Sequence, residues 1–298
     1  MRILLLGKNG QVGRALQNSL MTCGELIAIG RDDLDLVNLE KLSETLNNIK
    51  PDIIVNASAY TSVDKAESFS SLSYMINTSV VKTIAEYSRD NNALFIHYST
   101  DYVFDGTKST SYLEDDKPNP LNVYGKSKLA GENAILDSKC LALIFRTSWV
   151  ISTHGNNFIK TILRLAQNQD NLNVVNDQFG SPTSAALIAE VTIKSIIAFK
   201  SNNIELGVYN LTASGYTTWY KLAVFIINRA NDKGINFRLK QDYIKPIESC
   251  AFPLAAKRPL NSRLNTHKLF KALDIKIPDW KIGVYPIVDE LSKTITKI

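Results

Sequence analysis

The turn between residues 6 and 14 limits the possible folds of this chain more than any other feature. Ile3-Leu4-Leu5-Leu6 is a continuous apolar run, as expected of a parallel strand covered on both faces. It breaks at Gly7-Lys8-Asn9-Gly10-Gln11-Val12-Gly13 and restarts as a helical pattern through Leu16 and Leu20. Glycines at a strand-to-helix turn let backbone approach a pyrophosphate, and the helix start offers free N–H groups and the positive end of a dipole. A G-x-x-G-x-x-G spacing in this setting predicts dinucleotide binding; the alternative is a tight turn and nothing more.

The rest of the first half alternates in the same way. A second strand is expected over Leu26–Ile29, ending in Gly30-Arg31. An acidic residue at that end would bond the adenosine ribose 2′-hydroxyl, whereas a basic one accommodates a 2′-phosphate. Arg31 therefore favours NADPH, although Asp32 and Asp33 follow at once and Arg31 could equally be a solvated loop residue. A helix over 39–49 stops ahead of Pro51. A third strand, 52–56, runs into the small residues Ala57, Ser58 and Ala59, and a long helix is expected over 71–90. The strand at 93–96 leads to His97-Tyr98-Ser99-Thr100-Asp101-Tyr102, and another strand follows at 142–145. Beyond it the pattern loosens into helices at 157–168, 184–199 and 218–230 with strands at 174–175 and 207–211.

This order predicts an α/β fold: a doubly wound parallel sheet of Rossmann type with right-handed crossovers and a smaller C-terminal substrate lobe. Residues 1–150 are expected to form the dinucleotide-binding domain, with a strand and helix from about 184–211 returning to it. Residues 151–298 would be mainly the substrate lobe.

Chemistry is expected at Tyr124-Gly125-Lys126-Ser127-Lys128. Positions i and i+4 of a helix share a face, so the Tyr124 phenol and the Lys128 ammonium project into one space. A nearby cation favours phenolate and so lowers the phenol pKa, which suits proton transfer to or from a carbonyl oxygen. The alternative packs Tyr124 on the core and leaves both lysines in water. Thr100, where a strand should end, can donate to a substrate carbonyl oxygen; Ser99 and Thr100 could instead satisfy backbone groups. Asp101 could be a ligand or a turn residue. Tyr102 and Trp149 could stack on a base or sugar or simply pack, and Arg258 and Arg263 could hold a diphosphate or lie free in solvent. The irregular segment 105–122 is long enough for a lid.

Composition narrows the classes. A net charge of +5 spread without a dense basic run does not point to nucleic acid. Cys23, Cys140 and Cys250 lack ligand spacing and suit a reducing cytoplasm. No apolar run is long enough for a signal-peptide core or a membrane span. Three histidines without paired spacing argue against a metal centre, and strand-edge packing accounts for His97.

With the glycine turn, Thr100 and the Tyr124/Lys128 pair in hand, the chain resembles the extended short-chain dehydrogenase/reductase superfamily, and within it the dTDP-4-dehydrorhamnose reductase family. The resemblance covers nearly the whole chain, through NASAYTSVDKAE from Asn56, HYSTDYVFDG from His97, PLNVYGKSKLAGE from Pro120, FRTSWV from Phe145, GNNF from Gly155, NDQFGSPT from Asn176 and RPLNSRL from Arg258. It implies catalytic roles for Thr100, Tyr124 and Lys128. It also implies that Gly10, Gln11 and Val12 meet the pyrophosphate, Asp35 and Leu36 the adenine, and Ala59, Tyr60 and Thr61 the nicotinamide side. Gly7, Gly13, Arg31 and Tyr98 complete the expected cofactor set, with Tyr124 and Lys128 reaching it too. Thr100, Asp101, Tyr102, Trp149 and Arg258 are expected at a sugar nucleotide. The implied reaction is reduction of dTDP-4-dehydro-L-rhamnose to dTDP-L-rhamnose, with NADPH preferred and NADH possible. Some relatives carry an acidic residue where Gly30 stands, so dual cofactor use is less assured here. Some dimerise through magnesium held by glutamates, one of them at the position of Ala15, which leaves magnesium open and suggests a monomer or weak homodimer. Two other readings stand beside this one: a sugar-nucleotide epimerase or dehydratase with retained NAD, although Asp101-Tyr102 lacks the Asp-Glu pair that dehydratases resemble, and a non-catalytic nucleotide-binding subunit.

Overall fold

The computed structural model describes residues 1–295. Six parallel strands form the central sheet: β1 (Arg2–Leu6), β2 (Glu25–Ile29), β3 (Ile53–Asn56), β4 (Leu94–Thr100), β5 (Ala142–Thr147) and, later in the chain, β10 (Gly207–Asn210). Their spatial order is β2-β1-β3-β4-β5-β10. The order reverses at β1, and the crevice beyond the carboxyl ends of β1 and β3 is where such sheets take ligands.

The apolar runs form central strands because each residue has a buried face to occupy. Ile3 and Leu5 join one core, Leu4 and Leu6 the other, and Ile53/Ile54 and Leu94/Phe95 divide in the same way. Helices cover both faces: α1 (Gln11–Leu20), α2 (Leu39–Ile49), α3 (Val63–Ser68), α4 (Ser70–Tyr74), α5 (Val80–Asn91) and α6 (Val123–Ser138). Asn38 caps α2 by accepting from Lys41 N at 3.0 Å, and the helix ends at Lys50 in the left-handed conformation just ahead of Pro51.

The second half contributes β6 (Val150–Ile151), α7 (Phe158–Asn168), β7 (Leu172–Val175), β8 (Phe179–Gly180), β9 (Thr183–Ser184) and α8 (Ala185–Lys200). After β10 come β11 (Thr217–Thr218), α9 (Trp219–Asp232), β12 (Ile244–Ile247), α10 (His267–Leu273) and α11 (Trp280–Lys293). β10 pairs with β5 and α8 lies against α1, whereas β7–β12, β8–β11 and β6–β9 are small separate ladders.

Two expectations change. The helix expected over 71–90 is broken by a π-helical turn, Met75–Ser79. That turn aims the buried Asn77 at the Tyr60 backbone, taking Tyr60 N at 2.9 Å and giving Nδ2 to Tyr60 O at 3.1 Å. The segment 105–122 is no free lid. Tyr112 is buried, bridges to Leu264 and donates its hydroxyl to Asp105, which also takes Thr107 N and Asn119 Nδ2.

Candidate functional site

The glycine turn is a cradle that side chains would fill. Gly7 has φ +85°, and a Cβ there would lie 2.7 Å from Ser58 N. A Cβ on Gly13 would lie 2.1 Å from the Gly7 carbonyl oxygen, so α1 can start this close to β1 only without one. Gly10 occupies the N-cap of α1 and offers no side chain to its first amides. Helix geometry leaves the N–H groups of Gln11, Val12 and Gly13 without intrahelical partners. Beside them lies a cavity of about 250 Å³ lined by Gly7, Gly10, Gly30, Arg31, Asp35, Leu36, Ala57, Ser58 and Ala59. A turn with no room for a Cβ, opposite an apolar wall and exposed Arg31, fits a dinucleotide. Tyr60 and exposed Thr61 continue from Ala59, held in place by Asn77.

Two expected cofactor residues enter differently. The Gln11 side chain is turned to the second half, where Oε1 accepts from Asn157 Nδ2 at 2.9 Å and Ser152 Oγ at 3.1 Å. This leaves its backbone N–H for an anion. The Tyr98 ring points away, its hydroxyl bonded to Thr192 on α8 at 2.8 Å, and burial raises its pKa strongly. The alternation of β4 is the reason: odd positions such as His97 face α6, while Tyr98 joins the core with Phe145. Only its carbonyl belongs to the site, accepting from Lys128 Nζ at 2.6 Å.

Of the three candidate catalytic residues, Thr100 and Tyr124 come together, while Lys128 lies one helical turn from Tyr124 and is turned inward. Thr100 ends β4, and Asn122 caps α6 by accepting from Gly125 N at 2.8 Å, which sets Tyr124 and Lys128 one turn apart. Burial pushes the Tyr124 phenol up to about 12, with the nearby Thr100 hydroxyl pulling it down and Asp101 adding to the rise. The expected depression by Lys128 is absent. Nζ of Lys128 is turned inward, 1% exposed, to Tyr98 O and to His97 Nε2 at 3.0 Å. Burial lowers its own pKa to about 8, Glu132 raising it somewhat. Nor is His97 at a sheet edge: β4 lies between β3 and β5, and the imidazole is wholly buried between Asn56 and Lys128.

Thr100 corrects a second expectation. Its one hydrogen goes to Asp101 Oδ1 at 3.0 Å, and its oxygen accepts from Tyr102 N at 3.2 Å. Asp101 is buried, and desolvation raises its pKa to about 7 against the pull of Ser262, Thr100 and backbone N–H groups. Its Oδ2 has no hydrogen-bond partner, an orphan suited to a substrate hydroxyl.

The flanking residues also differ from solvent-free ligands-in-waiting. Arg258 pairs bidentately with Asp64, Nη1–Oδ1 3.1 Å and Nη2–Oδ2 2.5 Å, and Tyr102 lies beside it. Its charge is thus partly neutralised. Arg263 stacks over Tyr216 at 4.8 Å and bonds Asn261, a structural duty. Tyr102 meets Tyr124 edge-on at 5.8 Å. Trp149, at φ +46°, stacks on Trp219 at 3.4 Å. A left-handed backbone conformation disfavours a bulky side chain, and strain of this kind is found at ligand sites. Trp219 and Arg258 also line a cavity of about 590 Å³ with Phe158, Leu165, Gln178, Phe252 and Leu254.

Sequence reasoning missed Asn56, Asp64, Asn77 and Ser127, and it discounted His97. Asp64 and Asn56 do lie in the NASAYTSVDKAE run, so the run itself was the available signal. Among the described residues no group of three His, Cys, Asp or Glu side chains could hold a metal ion, and no helix is long and apolar enough to cross a membrane.

Known proteins match this arrangement over its full extent. A family model described as the RmlD substrate binding domain matches residues 1–293. A dTDP-4-dehydrorhamnose reductase of Escherichia coli K12 is 46% identical over 298 residues, covering 99% of each chain, and one of Shigella flexneri is 45% identical over the same share. Among solved structures, a dTDP-4-dehydrorhamnose reductase of Clostridium acetobutylicum superposes with TM-score 0.88 at 35% identity, covering 98% of this chain and 99% of that one. One from Bacillus anthracis, in complex with NADP, has TM-score 0.88 at 32% identity and covers 97% and 99%. A Thermus thermophilus UDP-glucose 4-epimerase, at 17% identity and TM-score 0.78, shares the fold. A glycine cradle at the switch point, the Thr100–Tyr124–Lys128 cluster and similarity along the whole length agree: the chain belongs to the dTDP-4-dehydrorhamnose reductase family.

Proposed function

We propose that this protein reduces the C4 carbonyl of dTDP-4-dehydro-L-rhamnose to give dTDP-L-rhamnose, using NADPH. The observation that carries the reading is a phenol kept protonated by burial next to Thr100, in a fold whose glycine turn lines a crevice fit for a dinucleotide. Bound in that crevice, the nicotinamide supplies the hydride that the carbonyl carbon accepts. Tyr124 gives its proton to the carbonyl oxygen, and a pKa near 12 keeps that proton in place until the oxygen becomes basic. Thr100 orients the carbonyl, and protonation of Asp101 frees the Thr100 hydrogen to donate to it. Lys128 and the N–H groups of Gln11 and Val12 hold the cofactor, with Asp35 and Leu36 at the adenine end of the cavity. Arg31, exposed at the end of β2 where Gly30 offers no carboxylate, supports NADPH over NADH.

Trp149, Tyr102 and the paired Arg258 belong in this reading to the sugar-nucleotide side, with the 590 Å³ cavity beside them. Residues 1–150, together with α8 and β10, form the cofactor lobe, and most of 151–298 forms the substrate lobe. A reducing cytoplasm suits both the NADPH requirement and three unpaired cysteines.

The test is NADPH oxidation with enzymatically generated keto sugar, run beside NADH. Tyr124→Phe should lower kcat by about a hundredfold to ten-thousandfold while NADPH affinity stays within a few-fold. A Tyr124→Phe enzyme with the parent's kcat would remove the phenol from the reaction.

A further inference from the structure

The hydrogen-bond directions around His97 can be followed one donor at a time. Ser58 N, a backbone donor, points at Asn56 Oδ1 at 3.1 Å, and Ser58 Oγ meets the same oxygen at 2.5 Å. That fixes the Asn56 amide, whose Nδ2 therefore faces His97 Nδ1 at 3.3 Å. Nδ2 can only donate, so Nδ1 accepts. A neutral imidazole then carries its hydrogen on Nε2, which points at Lys128 Nζ, 3.0 Å away. An ammonium has no lone pair to receive it. Only a neutral amine satisfies every direction, accepting from Nε2–H and donating to the Tyr98 carbonyl.

We propose that His97 is a positioning residue that favours Lys128 as a neutral amine, the form it has in the cofactor-free protein at alkaline pH, and that it exchanges tautomer when Lys128 gains a proton. An ammonium at Lys128 needs Nε2 as acceptor, which moves the imidazole hydrogen to Nδ1 and turns it against Asn56 Nδ2. The conflict ends only if the Asn56 amide turns over, and Ser58 holds that amide. Ser58 lines the cofactor crevice. A dinucleotide that draws Ser58 to itself would release Asn56, let His97 switch and let Lys128 take up a proton, so binding and protonation are coupled. This rests on NADPH occupying the crevice, as proposed above.

The electrostatic surroundings agree. Lys128 is the ionisable group against His97. One turn further along α6, Glu132 is held bidentately by Arg146 of β5, while β3 contributes the uncharged Asn56. Burial keeps His97 well below its ordinary pKa, and a charge on Lys128, when it is present, lowers it further, so the ring is neutral in either state of Lys128. Lys128, lowered to about 8, can change charge near working pH.

Nitrogen-15 NMR of labelled histidine on the cofactor-free protein reads the tautomer directly. His154 and His267 are exposed, so His154→Gln/His267→Gln leaves one signal set to follow. The expected result is Nε2–H at alkaline pH, passing to Nδ1–H with a midpoint near 8 as Lys128 protonates. One tautomer across the range, or an imidazolium, overturns the proposal. Calorimetry of NADPH binding in buffers of different ionisation heat supplies the second readout. At about pH 9 the parent should take up close to one proton per NADPH. His97→Gln, whose amide can accept from an ammonium, should take up less and, for a one-unit rise in the Lys128 pKa, bind about fivefold tighter there. Equal uptake in the two proteins refutes the coupling. Neither measurement involves the keto sugar, so failure of the turnover assay would count against the reductase reading alone.

Discussion

Asp101 sets a stability cost that its neighbours only partly offset. It is 3% exposed, desolvation raises its pKa from 3.8 to about 7, and Oδ2 lacks a partner. Below about pH 4 the carboxyl is neutral in both the folded and the unfolded chain. As pH climbs towards 7 the unfolded chain ionises first, so stability from this group falls and is lost once the folded carboxyl ionises too, a swing on the order of 4 kcal/mol. Asp101→Asn keeps an acceptor for Thr100 and has no proton to lose. Its melting temperature should exceed the parent's above pH 7, and the gap should close towards pH 4. Parallel melting curves across that range would show that Asp101 is not desolvated as described. The candidate residues Thr100, Tyr124 and Lys128 were legible in the sequence because a strand end and an i, i+4 pair are local patterns. The charge on Lys128 was not, because its partner His97 lies 31 residues away.

At the scale of elements, the glycine turn and α6 are the two that make the site. Gly13→Ala puts a methyl 2.1 Å from the Gly7 carbonyl, so α1 must withdraw from β1. Overpacking of this kind costs about 1–3 kcal/mol, and the turn proposed to receive the pyrophosphate is displaced. Thermal melts should register the first effect and NADPH fluorescence titration the second, as a loss of tenfold or more in affinity. Unchanged affinity would place the dinucleotide elsewhere. α6 was readable as a helix but not as a helix with a polar inner face, where Ser127, Lys128 and Glu132 are buried. Ser127 bonds Ser73 and Asn77 there, and Asn77 reaches it only because a π turn interrupts the expected helix. Apolar periodicity reports neither, since it counts which residues avoid water and not which polar groups satisfy one another inside.

Over the whole molecule, long-range polar ties join what the hydrophobic pattern builds. Arg146 on β5 and Glu132 on α6 form a pair 5% and 1% exposed, and Arg146 Nη1 also holds the Glu114 carbonyl at 2.9 Å. That one guanidinium links sheet, helix and the 105–122 segment. Glu132→Gln leaves the arginine buried without its counter-charge and should destabilise the fold by about 3–5 kcal/mol in denaturant unfolding. A loss below about 1 kcal/mol would mean that water reaches the pair.

Alternating apolar runs, the glycine turn and the helix-period segments determined from sequence that this chain is a doubly wound sheet with a dinucleotide crevice, because each follows from the preferences of near neighbours. Only the tertiary structure decided which groups are charged: the phenol of Tyr124 stays protonated, Asp101 titrates near neutrality and Lys128 is turned inward to His97. Ionisation depends on how much water and which distant dipoles surround a group, and both are settled when remote segments pack together.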